Sequence, residues 1–245
     1  MTATPNPHTL PAEHLVPAWR NAFTAASNDD SRTALYRTVR LEWYDTGIRF
    51  IATDSSILVE SWAAASRDFP IANPPQLDEA PNHTLTAIAA DRIMVDFLKH
   101  RATEIKQYNR DTNDGLNPDP IDVTLSVGTI DDPDTGQQTL DVIGPQQHLI
   151  ISSPNERIAL PIYDGDYPAW RVFFVGGELR PVTQVETTPD VLSRIGQLDT
   201  LPMDEDDSYL TLGMAGTRVI VTGTGRVPLT GLFVPRATAA AEEAA

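Results

Sequence analysis

Among its 245 residues the sequence contains no cysteine. Disulfides, thiolate zinc sites and cysteine nucleophiles are therefore excluded. Lysine is nearly absent too: the 18 basic residues comprise 16 arginines and only Lys99 and Lys106. No apolar run approaches the roughly 18 residues that a membrane span requires. The N-terminal stretch MTATPNPHTLPAEH has neither a basic start nor an apolar core, so it does not fit a secretory signal. Catalytic signatures are missing as well: there is no P-loop, no GxGxxG after a strand, no HExxH and no GxSxG. His8, His14, His83, His100 and His148 are scattered without metal-ligand spacing. These absences leave a soluble, cytoplasmic, non-redox protein as the expectation, with no cofactor, no metal and no enzyme activity.

What is there is acid. The formal charge is −16, from 34 acidic and 18 basic residues. Taken whole, that balance argues against a general nucleic-acid binder, because phosphate contacts need basic side chains. The distribution says something different. Both lysines fall in one segment, DRIMVDFLKHRATEIKQYNR, together with Arg92, His100, Arg101 and Arg110. Elsewhere acids dominate, as in DDPD (131–134) and DEDD (204–207). The basic segment is either a helix face that meets phosphates or a solvated face balanced by its own Asp91, Asp96 and Glu104. Neither acidic patch has EF-hand spacing, so both are expected to be solvated loops.

Hydrophobic residues make up 41% of the chain, enough to build a core. Residues 1–10 and 237–245 are expected to be a disordered leader and tail. Leu15, Trp19, Ala22, Phe23 and Ala26 recur at three- and four-residue steps, which predicts a helix from Ala12 to Ser27. Pro11 suits its start, whereas Pro17 suits an interior poorly and offers a second place for the regular helix to begin. TVRLEWYD and GIRFIATD, joined at Asp45–Thr46–Gly47, predict a hairpin with Val39, Leu41 and Trp43 on one face. SILVESWAA is a third strand, and FPIANPPQLDEAPN is a proline-rich connection. A second helix is expected from Ala89 to Gln107, burying Ile93, Met94, Phe97, Leu98, Ala102 and Ile105. Strands follow in IDVTLSVGTI, QQTLDVIG, HLIISS and RIALPIYD. A short third helix starts near Pro189, and SYLTLGM, TRVIVTG and LTGLFVPR are the last strands. The fold class is α+β with mostly antiparallel sheets.

Three stretches together resemble the bacterial DNA polymerase III beta-subunit sliding clamp. The first is a helix followed by DDSRTALYRTVRLEWYDTGIRFIATDSSILVE, with Arg32 and Leu35 leading into the hairpin and Ala52–Thr53–Asp54 at a strand end. The second is RIALPIYDGDYPAW, similar to the close of a clamp repeat through its acidic turn and the pair Tyr167–Pro168. The third is GLFVPR, which looks like the end of the last repeat with Val234, Pro235 and Arg236. The resemblance covers residues 10–236. It implies a clamp-like first domain over 11–172 and a shorter or diverged second one over 173–236.

The resemblance also implies a function. Clamps are basic inside, along their helices, and acidic outside, where the sheets lie. Arg20, Arg92, Lys99, Arg101, Lys106 and Arg194 would then face double-stranded DNA without sequence preference. Clamps also hold DNA polymerase and other partners by a short peptide in an apolar groove. Carried over position by position, that groove is Thr53, Ser55 and Leu58, then Pro168 and Val172, then Val234 and Pro235. The family commonly has a Gly–His–Arg-like run after the Asp, where this chain has Ser55–Ser56–Ile57. The implied assembly is a ring of identical chains, a trimer favoured over a dimer, in a short phage-type clamp of the cytoplasm and nucleoid. The alternative is a clamp-fold interaction module or regulator that does not bind DNA.

Overall fold

The computed structural model describes residues 5–29, 31–67, 73–90, 121–129, 147–154, 157–174, 180–181, 185–199, 210–215, 218–224 and 227–233. Within them the alternation of TVRLEWY and GIRFIAT produces the expected hairpin. β2 (Thr38–Tyr44) and β3 (Gly47–Thr53) pair antiparallel from Arg40↔Ile51 to Tyr44↔Gly47 around the two-residue turn Asp45–Thr46. β4 (Ile57–Ala64) continues the meander. Val39, Leu41 and Trp43 all point into the main core. Their neighbours Glu42 and Tyr44 point to the opposite face and are buried as well, so this sheet is covered on both sides.

Two short strands run against the sequence expectation. His8–Pro11, expected within a disordered leader, forms β1, and its Leu10 is fully buried. His83–Ile88, expected only to follow a loop, forms β5 and pairs with β2 from Trp43↔His83 to Thr38↔Ile88. Each is too short for its alternation to stand out; both are fixed by partners distant in sequence. Ala89 and Ala90 lie outside any helix, and the rest of the helix expected over 89–107 falls outside the described residues.

The further strands are β6 (Asp122–Thr129), β7 (Gln147–Ser152), β8 (Arg157–Pro161), β9 (Arg180–Pro181), β10 (Leu210–Ala215), β11 (Arg218–Gly223) and β12 (Leu229–Phe233). They sort into two antiparallel sheets, one of order β1-β6-β7-β8 and one of order β5-β2-β3-β4-β12-β11-β10-β9. β12 pairs with β4, Leu229↔Ser61 to Phe233↔Ile57, so the last described strand joins a sheet begun by the first hairpin.

Helix α1 (Ala12–Ala25) packs against β3 and β4 between the two sheets. Its apolar stripe is as expected, with Leu15, Trp19 and Ala22 fully buried. Pro17 sits in the interior without ending the helix, although it removes one i→i−4 donor. Tertiary burial holds this turn instead, because most residues of α1 are buried. Helix α2 (Pro189–Ile195) starts as its sequence requires: Thr188 caps it by accepting from the Val191 amide, and Pro189 takes the first helical position. Val191 and Ile195 join the same core. No described helix is long and apolar enough to cross a membrane.

Candidate functional site

The β3–β4 turn is built by one carboxylate. Asp54 Oδ1 accepts from the Ser56 amide (2.9 Å), the Ser56 hydroxyl (2.6 Å) and the Ile57 amide (3.2 Å). Thr53 Oγ1 donates to the Ile57 carbonyl (2.8 Å) and accepts from the Ser55 amide (3.1 Å). This closes the turn tightly enough to hold Ser55 at φ = 80°, in the left-handed region that favours glycine.

Beside the turn runs the segment after β8. Tyr167 donates from its hydroxyl to the Ile51 carbonyl (3.2 Å), and Trp170–Phe173 form a single 3-10 turn. Ile51, Leu58, Trp170, Ile220 and Leu232 form a second apolar core on the outer face of the large sheet. Leu58 and Leu232 face each other across the β4–β12 pair. Where this core reaches the surface it opens into a groove of about 470 Å³. Its lining includes Thr53, Ser55, Leu58 and Pro168, four residues nominated from the sequence. Val172 is on the same 3-10 turn but is more than half exposed and does not line the groove. Val234 and Pro235 lie outside the described residues; Leu232, two positions earlier on β12, lines it instead. Sequence reasoning missed Tyr36, Ile57, Trp170, Phe173 and Arg218. The aromatic run AWRVFF, just after Pro168, was the available signal for Trp170 and Phe173.

A buried charge cluster holds this wall in place. Glu42, with no exposed surface, accepts from Arg40 Nε (2.9 Å), Trp170 Nε1 (3.1 Å), the Tyr44 hydroxyl (3.2 Å) and Arg171 Nη2. The Arg171 guanidinium also stacks on Trp170 at 4.7 Å and donates from Nε to the Leu77 carbonyl (2.7 Å). Burial pushes the nearby Glu60 carboxyl above its ordinary pKa, against the pull of Arg49 at 3.3 Å. A carboxylate carrying this many donors fixes the indole that forms part of the groove.

On the helix side, Arg20 and Arg194 converge from α1 and α2 on a polar depression of about 510 Å³. Arg32 lines it too, as do Asp29, Asp54 and Asp190. Arg194 is already paired: Nη2 lies 2.7 Å from Asp54 Oδ2 and Nε 3.1 Å from Asp190 Oδ2. Burial alone would raise the Asp54 pKa, but hydrogen bonds from Ser56 and Arg194 outweigh it and hold the carboxyl below its usual range. Asp54 therefore touches both features, through Oδ1 the groove turn and through Oδ2 the helix side. Arg92, Lys99, Arg101 and Lys106 lie outside the described residues. Among the described residues no group of three or more His, Asp or Glu is placed to hold a metal ion.

No family model matches the chain, and no curated protein matches it. Solved structures do. The DNA polymerase III beta chain from Streptococcus pneumoniae superposes with a TM-score of 0.50 at 10% identity, over 95% of this chain and 65% of that one. The chain has the sliding-clamp fold. The beta sliding clamp from Caulobacter crescentus gives a TM-score of 0.48 at 16% identity, again over 95% of this chain and 65% of that one. The chain thus spans about two thirds of the length of these clamps, a little less than two thirds by the matched share. In this clamp fold the groove sits at the seam where β4 of the first hairpin meets β12 of the last, and the depression with Arg20 and Arg194 lies beside the helices.

Proposed function

We propose that this chain is a sliding-clamp-like processivity factor without catalytic activity, which tethers a DNA polymerase to duplex DNA. The observation that carries the reading is the groove. Three segments far apart in sequence, 53–58, 168–173 and 218–232, come together on one apolar depression in a clamp fold. Thr53, Ser55, Leu58 and Pro168 receive the partner peptide there, with Val172 beside them on the 3-10 turn; Val234 and Pro235 are carried as expected contacts from the resemblance alone. Arg20 and the basic segment with Arg92, Lys99, Arg101 and Lys106 supply non-specific, salt-sensitive phosphate contacts, while the −16 charge keeps DNA from other surfaces. Arg194 serves DNA only by giving up its two carboxylates. Residues 173–236 supply a shorter or diverged second domain, and the ring is built from identical chains, a trimer favoured over a dimer.

Reversing the charge of Lys99 and Arg101 is the decisive experiment. Loss of DNA-dependent polymerase stimulation, with the fold intact by circular dichroism, is the expected result. A chain that stays monomeric at high concentration by light scattering and binds neither DNA nor peptide overturns the proposal. A second reading, a clamp-fold interaction module that works without DNA, draws on the pairing of Arg194 with Asp54 and Asp190. In that case the charge reversal leaves partner binding and its consequences unchanged.

A further inference from the structure

Resting on the reading of the groove as a peptide site, the charge around it specifies the peptide further. The floor is apolar, from Leu58, Leu232, Trp170 and Pro168, and one flank carries the hydroxyls of Thr53, Ser55 and Ser56. Among the described residues of its lining the single charged side chain is Arg218, at the start of β11, and none is a carboxylate, in a chain with 34 acidic residues and only 18 basic ones. Among the described residues, none forms an ion pair with Arg218.

Arg218 is nevertheless held in place. Its Nη1 donates to the Phe173 carbonyl (2.8 Å), and its guanidinium lies 5.6 Å from the Phe173 ring centre. That bond and that stacking use one donor of the five and one face of the plane, leaving the remaining N–H groups as a preset fork. A fork that no described carboxylate occupies, at the edge of an apolar depression, suits a carboxylate that arrives with apolar side chains.

We propose that the groove selects a peptide in which an aspartate or glutamate side chain lies next to its apolar anchors, with Arg218 receiving that carboxylate. The apolar side chains would rest on Leu58, Leu232 and Trp170. The acid then supplies orientation and discrimination more than bulk affinity.

The test is selection of random nonapeptides, displayed on phage without a free C-terminus, against the full chain and its Arg218→Gln and Arg218→Lys variants. The wild-type pool is expected to converge on an acid beside two aliphatic or aromatic positions. The Arg218→Gln pool should keep the apolar positions and lose the acid. For a synthetic wild-type-selected peptide, Asp→Asn or Glu→Gln should weaken binding about tenfold at low salt, and far less against Arg218→Gln. Arg218→Lys, which keeps the charge without the fork, should fall between. A wild-type pool with apolar positions and no acid overturns the proposal while leaving the groove a peptide site. An acid retained in the Arg218→Gln pool overturns it too. Failure of every pool to converge overturns the groove reading itself.

Discussion

Asp54 is a small residue with two duties. One oxygen closes the turn that carries Thr53, Ser55 and Ser56, and the other holds Arg194 of α2. Removing its charge should therefore cost about 1.5–3 kcal/mol at neutral pH, the range of a lost hydrogen bond to a charged group. The pH dependence follows from the depressed pKa. A carboxyl whose folded pKa lies below its unfolded value stabilises the fold above the unfolded value and loses that contribution as pH falls through the folded one. For Asp54 the ordinary value is 3.8. Urea unfolding of the wild type and Asp54→Asn should thus differ by a constant amount from neutral pH down to about pH 5, with the gap closing below 3.8. A gap that persists unchanged into strong acid would show that Asp54 acts through shape, not charge. At this scale the sequence was informative about the turn itself, because the ATDS run drew attention to Thr53 and Ser55. It was silent on Arg194 as the partner, since that contact spans 140 positions and leaves no local pattern.

At the scale of elements, legibility followed length and locality. The β2–β3 hairpin announced itself through alternation and a two-residue turn, and α1 through a stripe that survives Pro17. β1 and β5 did not, because four and six residues paired to remote strands show too little periodicity. The charged outer face of the hairpin was hidden for a different reason. Glu42 and Arg49 alternate with apolar residues of the hairpin, and segments far along the chain cover them: Trp170 and Arg171 bond Glu42, while Pro75 and Trp170 meet Arg49. The hairpin also explains Gly47 in one step. A β-carbon there would lie 2.2 Å from the Ala63 carbonyl oxygen on β4 and 2.7 Å from the Trp62 ring. The first obstacle is backbone of the paired strand at the end of the β3–β4 ladder, which cannot swing aside as a side chain would. Gly47→Ala should cost about 3 kcal/mol, at the upper end of overpacking effects, and lower the urea midpoint with little change in slope. A variant as stable as the wild type would mean that β3 and β4 are more widely spaced at this end than the structure has them.

The whole molecule is tied together across its sequence extremes. β12 completes the sheet of β4, and inside the same seam Asn21 of α1 makes a three-way bond. Its amide nitrogen donates to Ser61 Oγ (3.1 Å) and to the Asp199 carbonyl (2.7 Å), while its oxygen accepts from the Asp199 amide (2.8 Å). The stretch after α2 is thereby fastened to the first helix and to β4. One of the four tryptophans, Trp170, packs in the second core with Ile220 of β11 and Leu232 of β12, so part of the fluorescence change reports the last strands, whereas circular dichroism reports all the strands together. If the shared sheet makes one cooperative body, the two signals should trace a single urea transition. Asn21→Ala removes the hydrogen bonds to Ser61 and to the Asp199 amide and carbonyl and should lower stability by about 2–3 kcal/mol. Because the β4–β12 ladder remains, both signals should shift together. A partial fluorescence change from Trp170 ahead of the main dichroism transition, in the wild type or the variant, would instead show that β10, β11 and β12 melt on their own. The groove would then be lost before the rest of the fold, since Leu232 and Arg218 form one side of it.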